Sequence, residues 1–283
     1  MNRYGLENLS NYNIPEELNL FRYAVVMEYN GSSFAGSQIQ PGQRTVQSEL
    51  ENAIKILIKK EVKTIFSGRT DAGVHAHGQV AHFELSEKLD RYRFLHSLNA
   101  VLPPDISVSD IVETDREFHS QKSAVYRWYR YTINNRTQRS VWLNNAIHIH
   151  TELNLENMNK ALEYIKGKHN FTSFKSSQSS NPAVDCIVYD AVCKAEDGMI
   201  NIDIVANRFV YNMVRIIVGT LITIGKGIYT PEHMKSILEA CDRTKAGPTA
   251  KAEGLTLKSV YYGKKYNIVN KEAYNEDILS KAS

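Results

Sequence analysis

The 283 residues have ordinary globular content, 42% hydrophobic and 23% charged, which supports a core and excludes wholesale disorder. No apolar run approaches the roughly 20 residues that span a bilayer. Residues 1–20 lack a signal-type apolar stretch, and three scattered cysteines (Cys186, Cys193, Cys241) suit neither a disulfide framework nor a zinc site, so a cytoplasmic chain with no membrane partner is expected.

Residues 1–20 read as a polar, flexible extension. Tyr23 to Tyr29 reads as a buried strand, followed by a turn at Asn30-Gly31-Ser32-Ser33. Thr45 can cap a helix whose apolar face runs Val46, Leu50, Ala53, Ile54 and Leu57. Strands are expected at Lys63 to Phe66, Val80 to Phe83 and Ile106 to Val112. A helix marked by Tyr92, Leu95 and Leu98 stops before Pro103-Pro104. The order β, α, β, β, α, β is a split βαβ pattern of the ferredoxin-like kind over residues 21–115.

Residues 116–265 repeat the idea. Val125 to Ile133 alternates as a strand, and Met158, Leu162 and Ile165 share a helical face. Strands at Ile187 to Val192 and Ile200 to Val205 flank a turn at Asp197-Gly198. An apolar helix carries Phe209, Met213, Ile216, Ile217 and Thr220. A further helix starts at Thr230-Pro231 with Met234, Ile237 and Cys241 on its buried side, and Leu255 to Tyr262 is a last strand. Residues 266–283 read as a tail. The expected class is α+β: two ferredoxin-like halves whose antiparallel sheets meet at a central cleft.

The net charge of +3 is unevenly spread. Residues 1–119 hold 12 Lys+Arg against 16 Asp+Glu, residues 120–180 hold 9 against 3, and residues 201–265 hold 10 against 5. The basic second half can meet a polyanion.

Residues 67–78, Ser-Gly-Arg-Thr-Asp-Ala-Gly-Val-His-Ala-His-Gly, carry little side-chain bulk, so another molecule can approach their backbone. Arg69 and Asp71 project to one side of an extended chain. A neighbouring cation favours the charged form of a carboxylate, which can then act as a nucleophile. A Gly-rich surface turn with an Arg–Asp pair is the plainer reading. An aspartic-protease reading lacks a second carboxylate, and a phosphatase reading fails because Gly73 stands where a second Asp is needed. His75, His77 and His82 lack a helical His-x-x-x-His or a Cys-x-x-Cys companion, so no metal is expected. No phosphate loop or dinucleotide fingerprint occurs.

Gly68-Arg69-Thr70-Asp71-Ala72-Gly73-Val74-His75-Ala76 resembles the signature of the TruA-type tRNA pseudouridine synthases. Supporting blocks follow in order: Tyr29 to Gln38, Thr45 to Glu51, Gly78 to Phe83, Asn99 to Ile106, Phe118-His119 with Tyr129-Arg130-Tyr131, Asn170 to Phe174, Phe209 to Gly219 and Thr249 to Leu255. The likeness covers residues 22–265. Ser37 stands where Trp is usual and Gln121 where Arg is common, departures expected to touch a stack and a phosphate contact.

The resemblance implies the pseudouridine synthase fold and isomerisation of uridine in the anticodon stem-loop of tRNA, at positions 38, 39 and 40, by a homodimer. No cofactor is implied, because substrate and product contain the same atoms. It implies that Asp71 attacks C6 of the uracil or C1′ of the ribose, or assists loss of the base. Arg69 fills the stack left by a flipped nucleotide, and Tyr129 stacks on the base and takes the C5 proton. Arg215 holds Asp71 with a guanidinium fork, and Leu255 packs on the uracil. Phosphate contacts are expected from Arg127, Arg130, Lys166 and Lys168, with RNA rather than DNA as the partner. A related synthase with other RNA targets, or a non-catalytic RNA chaperone, are the alternatives.

Overall fold

The apolar run Phe21–Tyr29 forms β1, and Tyr23 to Met27 are buried whichever face they point to. Burial on both faces belongs to the interior of a sheet. The computed structural model describes residues 20–178, 182–269 and 274. The extension and most of the tail named above lie outside the described residues.

After β1 comes helix α1 (Val46–Ile58), opened by a capping box in which Thr45 and Ser48 exchange side-chain and backbone hydrogen bonds. Strand β2 (Ile65–Phe66) is shorter than expected, and β3 (His75–Leu85) starts earlier, absorbing the second part of the Gly-rich segment. Helix α2 (Arg91–Val101) buries Phe94 and Leu98, whereas Tyr92 is 73% exposed and not part of the apolar face. Strand β4 (Ile106–Thr114) completes the first half.

The second half contains β5 (Tyr126–Asn134), a short β6 (Ile147–His148), α3 (Leu155–Glu163), a short β7 (Gly167–Asn170), β8 (Asp185–Glu196) and β9 (Met199–Ala206). Asp197 and Gly198 join β8 to β9 with φ of 49° and 73°, the primed geometry that a tight hairpin favours. Helix α4 (Met213–Gly225) begins four residues later than Phe209, because Asn212 is left-handed at φ 63°. Helix α5 (His233–Ala240) buries Met234 and Ile237, but Cys241 is exposed, since it too is left-handed and leaves the helical face. The last strand is β10 (Leu255–Tyr261).

The two expected sheets are one. The strand order is β4-β1-β3-β10-β5-β9-β8-β7, with β2 beside β3 and β6 beside β5. The join is β10, antiparallel to β5 and parallel to β3 through Thr256 opposite His75 and Leu257 opposite Ala76. Strand β5 alternates between faces: Tyr129, Tyr131 and Ile133 enter the main core, while Tyr126 and Trp128 pack with Val205 in a smaller cluster. A fully buried Leu or Ile in such a core stabilises by about 1.5–3 kcal/mol.

His82 on β3 is 3% exposed and accepts the Ser120 N–H on Nδ1. Burial, with the charges of Arg22 and His119 nearby, pushes its pKa down to about 4. The folded protein therefore keeps this imidazole neutral, while the unfolded chain takes up a proton near pH 6.5. Between about pH 6.5 and pH 4 the unfolded state binds more protons, so stability falls as pH falls through that window. Urea unfolding should show up to about 3 kcal/mol lost across it from this residue, and a smaller loss in His82→Gln.

Candidate active site

The segment from Ser67 to Val74 leaves β2 and returns into β3. It turns at Gly73, whose φ of +79° suits glycine, and the Val74 N–H closes the turn on the Asp71 carbonyl at 3.1 Å. The Asp71 side chain is therefore presented at the head of a turn and is 22% exposed.

Helix α4 supplies its partner. Arg215 Nη1 lies 2.8 Å from Asp71 Oδ2. The same Nη1 donates to Asn212 Oδ1 at 3.0 Å, and Nε donates to the Ala250 carbonyl at 2.8 Å. In return the Ala250 N–H donates to the Arg215 carbonyl at 3.0 Å. The expected fork is therefore not closed on Asp71: Nη1 holds one carboxylate oxygen together with Asn212, the residue before α4, and Nε is held by the Ala250 carbonyl. With one oxygen engaged and part of its surface open, the carboxylate is both oriented and reachable.

Tyr129, on β5, is 9% exposed and meets Phe209 edge-to-face at 5.0 Å. Burial raises its phenol pKa well above the usual value. The neighbouring Tyr29 adds to that rise, Arg127 opposes it, and the Asp71 charge adds again. Tyr129 is thus a neutral phenol beside the carboxylate, and taking a proton from carbon requires its own proton to leave in the same event. Leu255 is 6% exposed and pairs with Tyr131, whose hydroxyl donates to the Lys251 carbonyl at 2.8 Å. The strand neighbour of Tyr129 is Leu257. Arg69 is exposed on the loop, two residues before Asp71.

The four expected phosphate ligands do not form one patch. Arg127 is a structural tie: Nη1 donates to the Asn207 carbonyl at 2.7 Å, and Nη2 to the carbonyls of Ser67 at 2.9 Å and Gln121 at 2.7 Å. Burial lowers its pKa, and both terminal nitrogens donate to backbone. Arg130 points to the opposite face of the sheet and forms a two-point bridge to Asp203, which also accepts the Trp128 indole N–H. Lys166 is paired with Glu163 at 2.6 Å and Asp190 at 3.2 Å. Lys168 is exposed on β7, five strands from β3, about 24 Å at about 4.8 Å per strand. Charge counts along a sequence do not reveal which cations are already engaged.

Sequence reading also missed Asn212 and the Ala250 carbonyl as holders of Arg215, and Ser37 and Tyr29 as holders of the loop. All four lie inside the matching blocks; Asn212 is three residues from Arg215, whereas the other three pairings span 33 or more residues, as for Ser37 with Thr70, and leave no local signal. Ser37 is 1% exposed and its hydroxyl accepts the Thr70 N–H of the loop. A cavity of about 620 Å³ lies between α4 and residues 143–148 and 248–253, touching the site through Ala250 but not through Asp71. Among the described residues no His, Cys, Asp and Glu group could hold a metal ion, and no helix is long and apolar enough to cross a membrane.

A family model described as tRNA pseudouridine synthase matches residues 25–121 and 161–263. The chain is similar to tRNA pseudouridine synthase A of Geobacillus kaustophilus (strain HTA426), 43% identical over 243 residues, which is 85% of this chain and 94% of that protein. It is also similar to the protein of that name from Ehrlichia chaffeensis (strain Arkansas), 44% identical over 246 residues, covering 85% and 100%. A third relative of that name, from Thermoanaerobacter sp. (strain X514), is 43% identical over 239 residues, covering 84% and 98%.

If Arg127 is a tie and not a phosphate ligand, Arg127→Leu should cost on the order of 3 kcal/mol in urea unfolding, because it strips hydrogen bonds from three backbone carbonyls. The salt dependence of RNA binding should keep its slope. A slope lower by about one unit would restore the phosphate role.

Proposed function

The chain belongs to the tRNA pseudouridine synthase family, isomerases of uridine in tRNA, and on that premise we propose that its target is the anticodon stem-loop, at positions 38, 39 and 40, with Asp71 as the reactive carboxylate. The observation that carries this reading is the 2.8 Å contact between Arg215 and an Asp71 that remains partly open to solvent. A buried carboxylate could not meet a base, and an unpaired one would not be aimed.

The reaction detaches uracil at N1, turns it and rejoins it through C5. Atoms and oxidation state are conserved, so the chemistry calls for no cofactor. A stacked uridine must first be flipped out, at a cost of about a few kcal/mol. Arg69, exposed beside Asp71, is placed to fill the vacated stack. Asp71 then attacks C6 or C1′, or assists departure of the base, while Arg215 holds one of its oxygens. Tyr129 forms an apolar wall for the ring together with Leu255; once C5 is joined to C1′, its phenol oxygen takes the C5 proton as it releases its own to water, and the freed N1 takes up a proton. Reading RNA by shape and backbone fits a target of three neighbouring positions. Lys168 is available for a distant phosphate. We place the enzyme in the cytoplasm, as a homodimer.

The central test is tritium release from C5-tritiated tRNA. Wild type should release tritium, and Asp71→Asn should be slower by on the order of a thousandfold or more. Equal release from both would remove Asp71 from the mechanism. Target choice is tested separately, by mapping tRNA from cells that lack the gene. Pseudouridine should vanish at positions 38–40, whereas its persistence there with loss elsewhere would assign another RNA target.

A further inference from the structure

Thr70, the residue before Asp71, has every polar atom engaged by other segments. Its N–H donates to Ser37 Oγ at 2.8 Å, and its carbonyl accepts the Ser37 N–H at 3.0 Å. Its hydroxyl shares a 2.8 Å hydrogen bond with the Tyr29 phenol. Behind Tyr29, Gln79 donates to the Gly68 carbonyl at 3.1 Å and accepts the Ser67 hydroxyl at 2.6 Å. Ser37, Tyr29, Gln79, Ser67 and Thr70 are all 6% exposed or less. A buried polar set of this kind is stable only when its members are paired, and then it is rigid.

Ser37 is itself anchored. Its carbonyl accepts the Gln47 N–H at 2.9 Å and the Gly36 carbonyl accepts that of Val46 at 3.3 Å, which satisfies two N–H groups at the start of α1. Gly36 has φ +106°, and a Cβ there would stand 2.8 Å from the Thr70 carbonyl oxygen. The two backbones therefore approach too closely for a side chain at residue 36 to stand between them. A continuous set of contacts runs from the N-terminus of α1 through residues 36 and 37 to Thr70, one peptide from the reactive carboxylate.

We propose that Ser37 is a positioning residue for the isomerisation. Its hydroxyl and N–H grip both backbone groups of Thr70 and so set the direction in which the Asp71 side chain leaves the loop. Arg215 fixes the carboxylate end and Ser37 fixes the main-chain end. The hydroxyl matters as an acceptor: it takes the Thr70 N–H, which a side chain with no acceptor could not do. The proposal rests on Asp71 being the reactive group.

The test is Ser37→Ala, with Ser37→Cys as a second variant that keeps the bulk but offers the Thr70 N–H only a weak acceptor. Single-turnover tritium release gives the rate, filter binding gives the tRNA Kd, and thermal unfolding reports the fold. Ser37→Ala should react on the order of 10- to 100-fold more slowly with Kd within about twofold of wild type. Ser37→Cys should show a smaller loss of the same kind, and it decides the matter if Ser37→Ala does not fold. Turnover within twofold of wild type, or a loss carried entirely by Kd, would overturn the proposal while Asp71→Asn stays inactive. An Asp71→Asn variant as fast as wild type would overturn both this proposal and the assignment of Asp71.

Discussion

Strand β10 sits between β3 and β5 and so decides which parts of the chain meet. Asp71 and Arg215 are 144 residues apart in sequence. Closing a flexible loop of that length costs about 4 kcal/mol in its length-dependent part alone. A partly exposed ion pair returns about 1 kcal/mol or less. The pair therefore does not hold the halves together. The sheet and its shared core do, and the pair forms because the sheet has already brought α4 over the loop.

Three cations around the site then have different tasks. Arg127 binds carbonyls from residues 67, 121 and 207 and fixes the base of the loop to both halves. Arg215 aims the carboxylate. Arg69 is exposed on the loop. Tyr129, kept neutral by burial and by the Asp71 charge, offers a ring face without adding a competing negative charge. Division of labour among residues of one type depends on what each guanidinium touches, which only packing can set.

Much of the fold was legible in the sequence because its signals are local. The Thr45–Ser48 cap, the Asp197-Gly198 hairpin and the alternation along β5 each fall within a few residues. The loop carrying Asp71 was legible because nine adjacent residues match one signature. What escaped was non-local. Nothing near Leu255 shows that β10 pairs in parallel with β3, so one sheet was read as two. The helical spacing that put Cys241 on a buried face breaks where the backbone turns left-handed. Arg127 and Arg130 look equivalent as charges, yet strand alternation sends them to opposite faces, one onto carbonyls and the other onto Asp203.

The late position of β10 has a further consequence for biosynthesis. While a ribosome is still making the chain, β3 and β5 each present an edge that β2 and β6 cover only in part, and the uncovered part is a template for association with other chains. Those edges are joined only after residues up to Tyr261 have emerged. A nascent or prematurely terminated product that stops before then holds Asp71, Tyr129 and Arg215 in its sequence but lacks the strand that assembles them. Activity is thereby reserved for chains whose translation has passed that point, and chaperone demand should be highest just before it.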